Sequence, residues 1–321
     1  MLTREQIAIR PVRLEAEDYA GIAALYGAYF AAHGVDRRYT AADIENFLTA
    51  PDFFPDLTQV VEEDGQIVAY SEHVPSAATG NAWGDLIVHP DYRGRGIASA
   101  LLAHADAQLL ERAKTYVPVH LPVVARRGAP SVDAAAFRLM EREGYTYARS
   151  FYEMRIELGD SSAPALPEGF HLEPFDRQKH GRALYEVHEE AFSEHWGYER
   201  DPWEEWEHYV YERPNTDSTL WLLAFDDQGI AGYAINRQLR EDDPTLAWVG
   251  MLGVLPRARR RGLGEALLRG SFALFQDRGY TRAGLGVDAE NTTNALALYE
   301  RVGMHVHRTT HSYQKTLRAA E

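Results

Sequence analysis

The sequence predicts an α/β protein made twice over: a mixed, partly antiparallel sheet flanked by helices, repeated in tandem. Three observations carry that prediction. A strand, a Pro-marked turn with Arg and Gly, and an Ala/Leu-rich helix occur in two copies, 166 residues apart. An apolar hairpin precedes each copy, and a strand and helix ending in a Gly follow it. A chain of 321 residues also exceeds one ordinary core and fits two domains of about 150 residues each.

The elements fall into register when the two turns are aligned. Ile9-Arg10-Pro11 and Leu172-Glu173-Pro174 open the halves as short strands, and two helical stretches follow each. The turns Glu63-Asp64-Gly65 and Asp226-Asp227-Gln228-Gly229 then lead into the strands Ile67–Tyr70 and Ile230–Tyr233. In the second half the hairpin pairs Leu220–Phe225 with Ile230–Asn236, and Trp248–Val254 feeds the turn. Gly264–Gln276 reads as the helix after it, Arg282–Val287 as a strand, Thr292–Arg301 as a helix and His305–Tyr313 as the last strand. Arg142-Glu143-Gly144-Tyr145 matches Arg301-Val302-Gly303-Met304 near the end of each half. The polar, Pro-punctuated run at 159–167 reads as a linker between domains at 1–158 and 168–321.

The repeated turns suit an anion such as a pyrophosphate. The first is Arg93-Gly94-Arg95-Gly96-Ile97-Ala98-Ser99, fed by Leu86-Ile87-Val88. The second is Arg259-Arg260-Arg261-Gly262-Leu263-Gly264-Glu265, fed by Leu252-Gly253-Val254. Small residues let a ligand reach main-chain N–H groups, and the following helix N-terminus adds partial positive charge. Tight packing is the alternative reason for Gly at such a turn. Gly253 either lets a ligand approach closely or marks a bulge or packing gap.

Composition limits the function classes. Hydrophobic content of 45% and charged content of 25% describe a soluble globular protein. No run reaches the roughly 18 apolar residues of a membrane span, and the first residues do not resemble a signal peptide; a cytoplasmic protein without membrane attachment is expected. With no Cys there is no disulfide, thiolate metal site or Cys nucleophile. The net charge of -15 argues against nucleic-acid binding and favours approach of a cationic amine, solubility alone being the plainer alternative. His305, His307 and His311 lie on one strand, and the i, i+2 pair could bind a metal but has no third ligand nearby, so no metal is expected. The second Gly-x-Gly lacks the third Gly of a dinucleotide fingerprint.

Arg93, Gly96 and Ala98, and again Arg259, Gly262 and Gly264, together with the run Val287–Met304, resemble the GNAT N-acetyltransferase superfamily. The duplication is similar to its two-domain members, the mycothiol synthases among them. The resemblance covers most of both halves and implies two tandem GNAT-like domains. It implies acetyl-CoA or another acyl-CoA as co-substrate and a primary amine as acceptor, with direct attack and no covalent intermediate. Leu86-Ile87-Val88 and Leu252-Gly253-Val254 would pair with the pantetheine amides, and both turns would hold CoA. Tyr299 stands where the family places a general acid; a core Tyr on an amphipathic helix is the other reading. Asn291 and Asn294 would position the cofactor or cap a helix. Met140 stands in place of Tyr299 in the first half, and a thioether donates no proton, so the chemistry belongs to the second.

The base is less legible. The strand through Val254 carries no carboxylate, which leaves Glu194 and His195, with Glu72, His73 and Asp85 as first-half analogues. Aromatic and acidic residues from Phe192 to Tyr211 would wall a pocket for a cationic acceptor, or form core, since Trp203, Trp206 and Val210 follow helical spacing. The expected activity is N-acetyl transfer to a small amine by a monomer or homodimer. A non-catalytic acyl-CoA sensor and a protein or peptide N-acetyltransferase are the alternatives.

Overall fold

The computed structural model describes residues 7–159, 165–213, 216–238, 244–290 and 295–321. Two compact units emerge. Unit 1 comprises the residues up to Ser150 with Thr310–Glu321, and unit 2 comprises Phe151–Thr309. These differ from the division at 159–167 drawn from the repeat, because the last strand of each half completes the other half's unit. Sequence repeats mark duplication, whereas compact units follow where backbone groups find hydrogen-bond partners.

Unit 1 opens with β1 (Ile9–Pro11), α1 (Ala16–Ala32) and α2 (Ala41–Leu48). Thr40 caps α2 through a capping box with Asp43. Strands β2 (Gln59–Glu63), β3 (Gln66–Ser71), β4 (Val74–Pro75), β5 (Asn81–Gly84) and β6 (Leu86–Val88) precede α3 (Ile97–Tyr116). Then come β7 (Val123–Pro130), α4 (Ala134–Arg142) and β8 (Thr146–Glu157). β1, β2, β3 and β6 pair antiparallel in that order. β4 pairs with β5, and β5 runs parallel to β7.

Unit 2 contains β9 (His171–Glu173), α5 (Arg177–Phe192), α6 (Trp203–Tyr211), β10 (Leu222–Asp226), β11 (Gly229–Gln238) and β12 (Leu246–Val254). It continues with α7 (Leu263–Asp277), β13 (Arg282–Asp288), α8 (Ala295–Arg301) and the start of β14 (His305–Arg318), whose residues from Thr310 on belong to unit 1. β9, β10, β11 and β12 pair antiparallel, and β12 runs parallel to β13. Phe151–Glu157 of β8 pairs with β13, while Thr310–Arg318 of β14 pairs with β7 in unit 1. The last strand thus outruns its sequence reading of His305–Tyr313, because β7 offers an open edge for it.

Helix α7 buries Leu267, Leu268, Phe272 and Phe275 against the sheet of unit 2. Such burial is worth roughly 1.5–3 kcal/mol per large side chain. Within the aromatic run at 203–211, Trp206 and Val210 are core, buried beside Leu184, Tyr185 and Tyr233. No helix among the described residues is long and apolar enough to cross a membrane.

Candidate active site

Unit 2 holds a forked sheet. β12 and β13 pair only from Leu246–Val249 to Arg282–Leu285. On its other side β12 shifts register against β11: Met251 faces Ile235, Val249 faces Asn236, and Gly250 is the extra residue. A bulge bends its strand and strengthens the local twist, so β12 departs from β13 where the bulge lies. A cavity of about 990 Å³ occupies the fork, lined by Gly250–Val254, Leu285–Asp288, the end of α5, the start of α7, and α8. Gly250 was not singled out from the sequence; a Gly inside a strand was the available signal.

The turn at the mouth of the cavity has an alternating backbone. Arg259 is extended at φ -65°, ψ 157°, and Gly262 is left-handed at φ 84° as the cap of α7. Between them Arg260 takes φ 61°, which few side chains tolerate. Successive residues of opposite hand make a concavity of N–H groups, and the first turn of α7 adds donors with no intrahelical partner. Leu263 is buried beneath the turn. A Cβ on Gly264 would meet only ordinary contacts, 3.6 Å from Val254 and 3.7 Å from Leu298.

The side chains of Arg259 and Arg261 find partners within the protein. Arg259 Nε donates to the Val254 carbonyl at 3.1 Å, Nη2 donates to the Ala191 carbonyl at 3.1 Å, and Nη1 binds Glu194. It pins the turn to the end of α5. Arg261 donates to the Glu168 carbonyl at 3.1 Å and lies over Phe170. Of the three, Arg259 is the one shown in an ion pair. Arg301 also lines the cavity and bonds Glu265 at 3.2 Å, a partnership the sequence reading missed. Gly253 is explained by packing: a Cβ there would lie 2.5 Å from Cε1 of Tyr233. Tyr233 in turn shares a 2.6 Å hydrogen bond with His188 Nδ1.

Tyr299 and His195 share this cavity. Tyr299 is mostly buried, and burial pushes its hydroxyl up to about 12. It stays protonated at neutral pH. His195 packs on Phe192 with ring centroids 4.5 Å apart, in a stack continued by His188 and Trp206. Burial chiefly, with Arg259 adding to it, holds its imidazole below the ordinary value. Glu194 is exposed, and Arg259 holds its carboxyl below the usual range, so it is the poorer proton acceptor. Asn291 and Asn294 lie outside the described residues.

The first turn repeats the backbone of the second. Arg93 is extended at φ -68°, ψ 158°, Gly94 takes φ 75° and Gly96 takes φ 87° before Ile97, Ala98 and Ser99 start α3. Arg93 bonds Asp133 at 3.1 Å, Arg95 bonds Glu63 and lies over Tyr92, and Ser99 accepts from Arg142 at 2.7 Å. Met140 is buried in the unit 1 core.

Comparison with known proteins extends these observations. The sequence profile of the Acetyltransferase (GNAT) family matches residues 181–304, and that of the Acetyltransferase (GNAT) domain matches residues 54–153. The chain is similar to the mycothiol acetyltransferase of Salinispora arenicola, with 32% identity over 79% of each chain. Among solved structures it is similar to a GCN5-related N-acetyltransferase from Sphaerobacter thermophilus: 28% identity, TM-score 0.80, covering 100% of this chain and 98% of that one. A tandem GNAT protein from the clavulanic acid biosynthesis pathway shares the fold at 17% identity and TM-score 0.71, covering 98% of this chain and 100% of that one.

Proposed function

The chain belongs to the GNAT acetyltransferase family, and we propose that it moves an acetyl group from acetyl-CoA to a primary amine of a small molecule, in unit 2. The observation that carries this reading is one cavity shared by the left-handed turn, the bulged strand, His195 and Tyr299. The residues fit the donor. The N–H groups at Arg260–Gly264 suit its diphosphate, and Arg301 adds a cation at the same cavity. Beyond Val249 the edge of β12 has no β13 partner, so main-chain groups there are available to an amide-bearing arm. An N–H on that edge would polarise the thioester carbonyl.

His195 takes the proton that the amine nitrogen loses as its bond to the carbonyl carbon forms. Its lowered pKa keeps it neutral, and so able to accept, at pH values below the ordinary 6.5 of histidine. Tyr299 donates its hydroxyl proton to the sulfur as the C–S bond breaks. A phenol at about 12 is a weaker acid than a thiol near 8.5, so its proton moves with bond cleavage rather than before it. The net charge of -15 favours a cationic acceptor, and the acceptor of the mycothiol acetyltransferases is the first amine to test.

The test is thiol release from acetyl-CoA with a panel of primary amines, followed across pH. For wild type, the acid limb of kcat/KM should lie below pH 6.5. His195→Gln should lower the rate by roughly 10²–10⁴-fold and remove that limb. An unchanged limb in His195→Gln would exclude His195 as the base.

A further inference from the structure

We infer that unit 1 takes no acyl-CoA: its strand fork is a closed, hydrogen-bonded core, and the chain binds one CoA, in unit 2. The inference rests on the donor assigned above, and the two fail separately.

The forks begin alike. β5 and β7 pair up to Gly84 and Arg127, as β12 and β13 pair up to Val249 and Leu285. The residue after Gly84 is Asp85. It sits in regular register, since Ser71 faces Leu86, the Glu72 N–H donates to the Asp85 carbonyl, and Val74 faces Trp83. The bulge found at Gly250 is missing. Where unit 2 places the apolar Leu285, unit 1 places Arg127, which is 2% exposed. Its Nη1 donates to the Asp85 carbonyl at 2.7 Å and to Ser71 Oγ at 3.2 Å, and its Nη2 lies 2.9 Å from His73 Nε2.

Residue 85 spends its remaining polar groups on the protein too. Its N–H donates to Glu72 at 3.0 Å, and its carboxylate accepts from Tyr26 of α1 at 2.7 Å. Ser71, Glu72, His73 and Arg127 are all buried. Main-chain groups that an amide-bearing arm would need at the apex are therefore already bonded. Displacing them would strand a buried guanidinium with nothing to offset its desolvation.

The mouth is bridged as well. Asp133 caps α4 at the Ala136 N–H and accepts from Arg93 at 3.1 Å and from Tyr29 at 3.1 Å. His33 Nε2 lies 3.2 Å from the same carboxylate, and both side chains are buried. The turn, the end of α1 and the start of α4 are thus tied together. Unit 1 keeps the backbone of an anion cradle with no open fork behind it.

The experiment is a calorimetric titration of the full chain with CoA, paired with hydrogen–deuterium exchange in its presence. One CoA per chain is expected, with protection of 250–266 and no change at 86–99. Gly262→Val should abolish the binding, and if that variant fails to fold, the exchange pattern of the wild type decides alone. Two CoA per chain, or protection at 86–99, would overturn the inference. No binding by wild type would overturn the donor assignment in unit 2 and leave unit 1 as described.

Discussion

The two turns and the two forks behind them have fared differently. At the turns, Gly96 and Gly262 differ by 3° in φ and 1° in ψ, and Arg93 and Arg259 are as close. Behind them, one extra residue and one exchanged side chain separate a cavity of about 990 Å³ from a packed interior. In unit 2 the bulge at Gly250 swings β12 away, and Leu285 asks nothing of the space it faces. In unit 1 the strand runs in register, and Arg127 fastens it across the fork. A cradle motif is thus a statement about a turn, and a site also needs the strand edge behind it to be open.

The same contrast appears one strand over. Tyr70 and Tyr233 face Ile87 and Gly253 across equivalent antiparallel pairs. Tyr233 crosses Gly253 to reach His188, whereas the Tyr70 hydroxyl lies with Glu72 in the buried cluster of unit 1.

The contrast can be broken most strongly at the late helices. Tyr299→Phe should lower kcat by roughly 10²–10⁴-fold with CoA affinity held, because only a hydroxyl is lost. Met140→Leu, at the matching position in unit 1, should leave kcat near wild type; steady-state kinetics with one accepted amine compares the two. Full kcat in Tyr299→Phe would move the chemistry away from unit 2 or hand the proton to water.

A smaller effect is expected at Gly253. Gly253→Ala forces the Tyr233 ring to shift, since the new Cβ would lie 2.5 Å from it. Overpacking of this kind costs about 1–3 kcal/mol. Chemical denaturation followed by Trp fluorescence should show the loss. A neutral result would mean that the strand moves instead of the ring and leaves the pair with His188 intact.

The subtlest comparison is through pH. Burial, with Asp85 beside it, pushes the Glu72 carboxyl up to about 8, far above the carboxyl of an unfolded chain. The folded state therefore holds a proton that the unfolded state releases. Its contribution is fully present below the unfolded value near 4.5 and is lost as pH rises through about 8. Unit 1 should lose stability over that window, and Glu72→Gln should flatten the loss by a few degrees in Tm. Calorimetric scans at pH 5 and pH 8 give the difference directly, and an identical pH response in the variant would assign it elsewhere.

Much of this molecule was legible in its residues. The duplication, the hairpins, the turns and the helices after them are local patterns of apolar spacing, Gly and Pro, so the helix read at Gly264–Gln276 stands as α7. The hydroxyl in the second half and the thioether in the first were equally plain, since they follow from register with Gly303 and Gly144. The partners of the arginine side chains were not legible in this way, because a charged side chain is defined by what it reaches. Arg93 and Arg259 reach across the fold to Asp133 and to the end of α5, partners 40 and 68 residues away. The aromatic segment at 203–211 stayed open between pocket wall and core for a similar reason, its helical spacing being shared by both.

What the sequence determined by itself was therefore the kind of unit, its repetition and the backbone of both turns, because positive φ at Gly and the fixed φ of Pro act within a few residues. Tertiary structure alone decided which fork is open and where each last strand pairs. A bulge exists only relative to a neighbouring strand, a buried guanidinium only relative to the carbonyl it meets, and the edge that β14 completes belongs to a strand about 190 residues earlier in the chain.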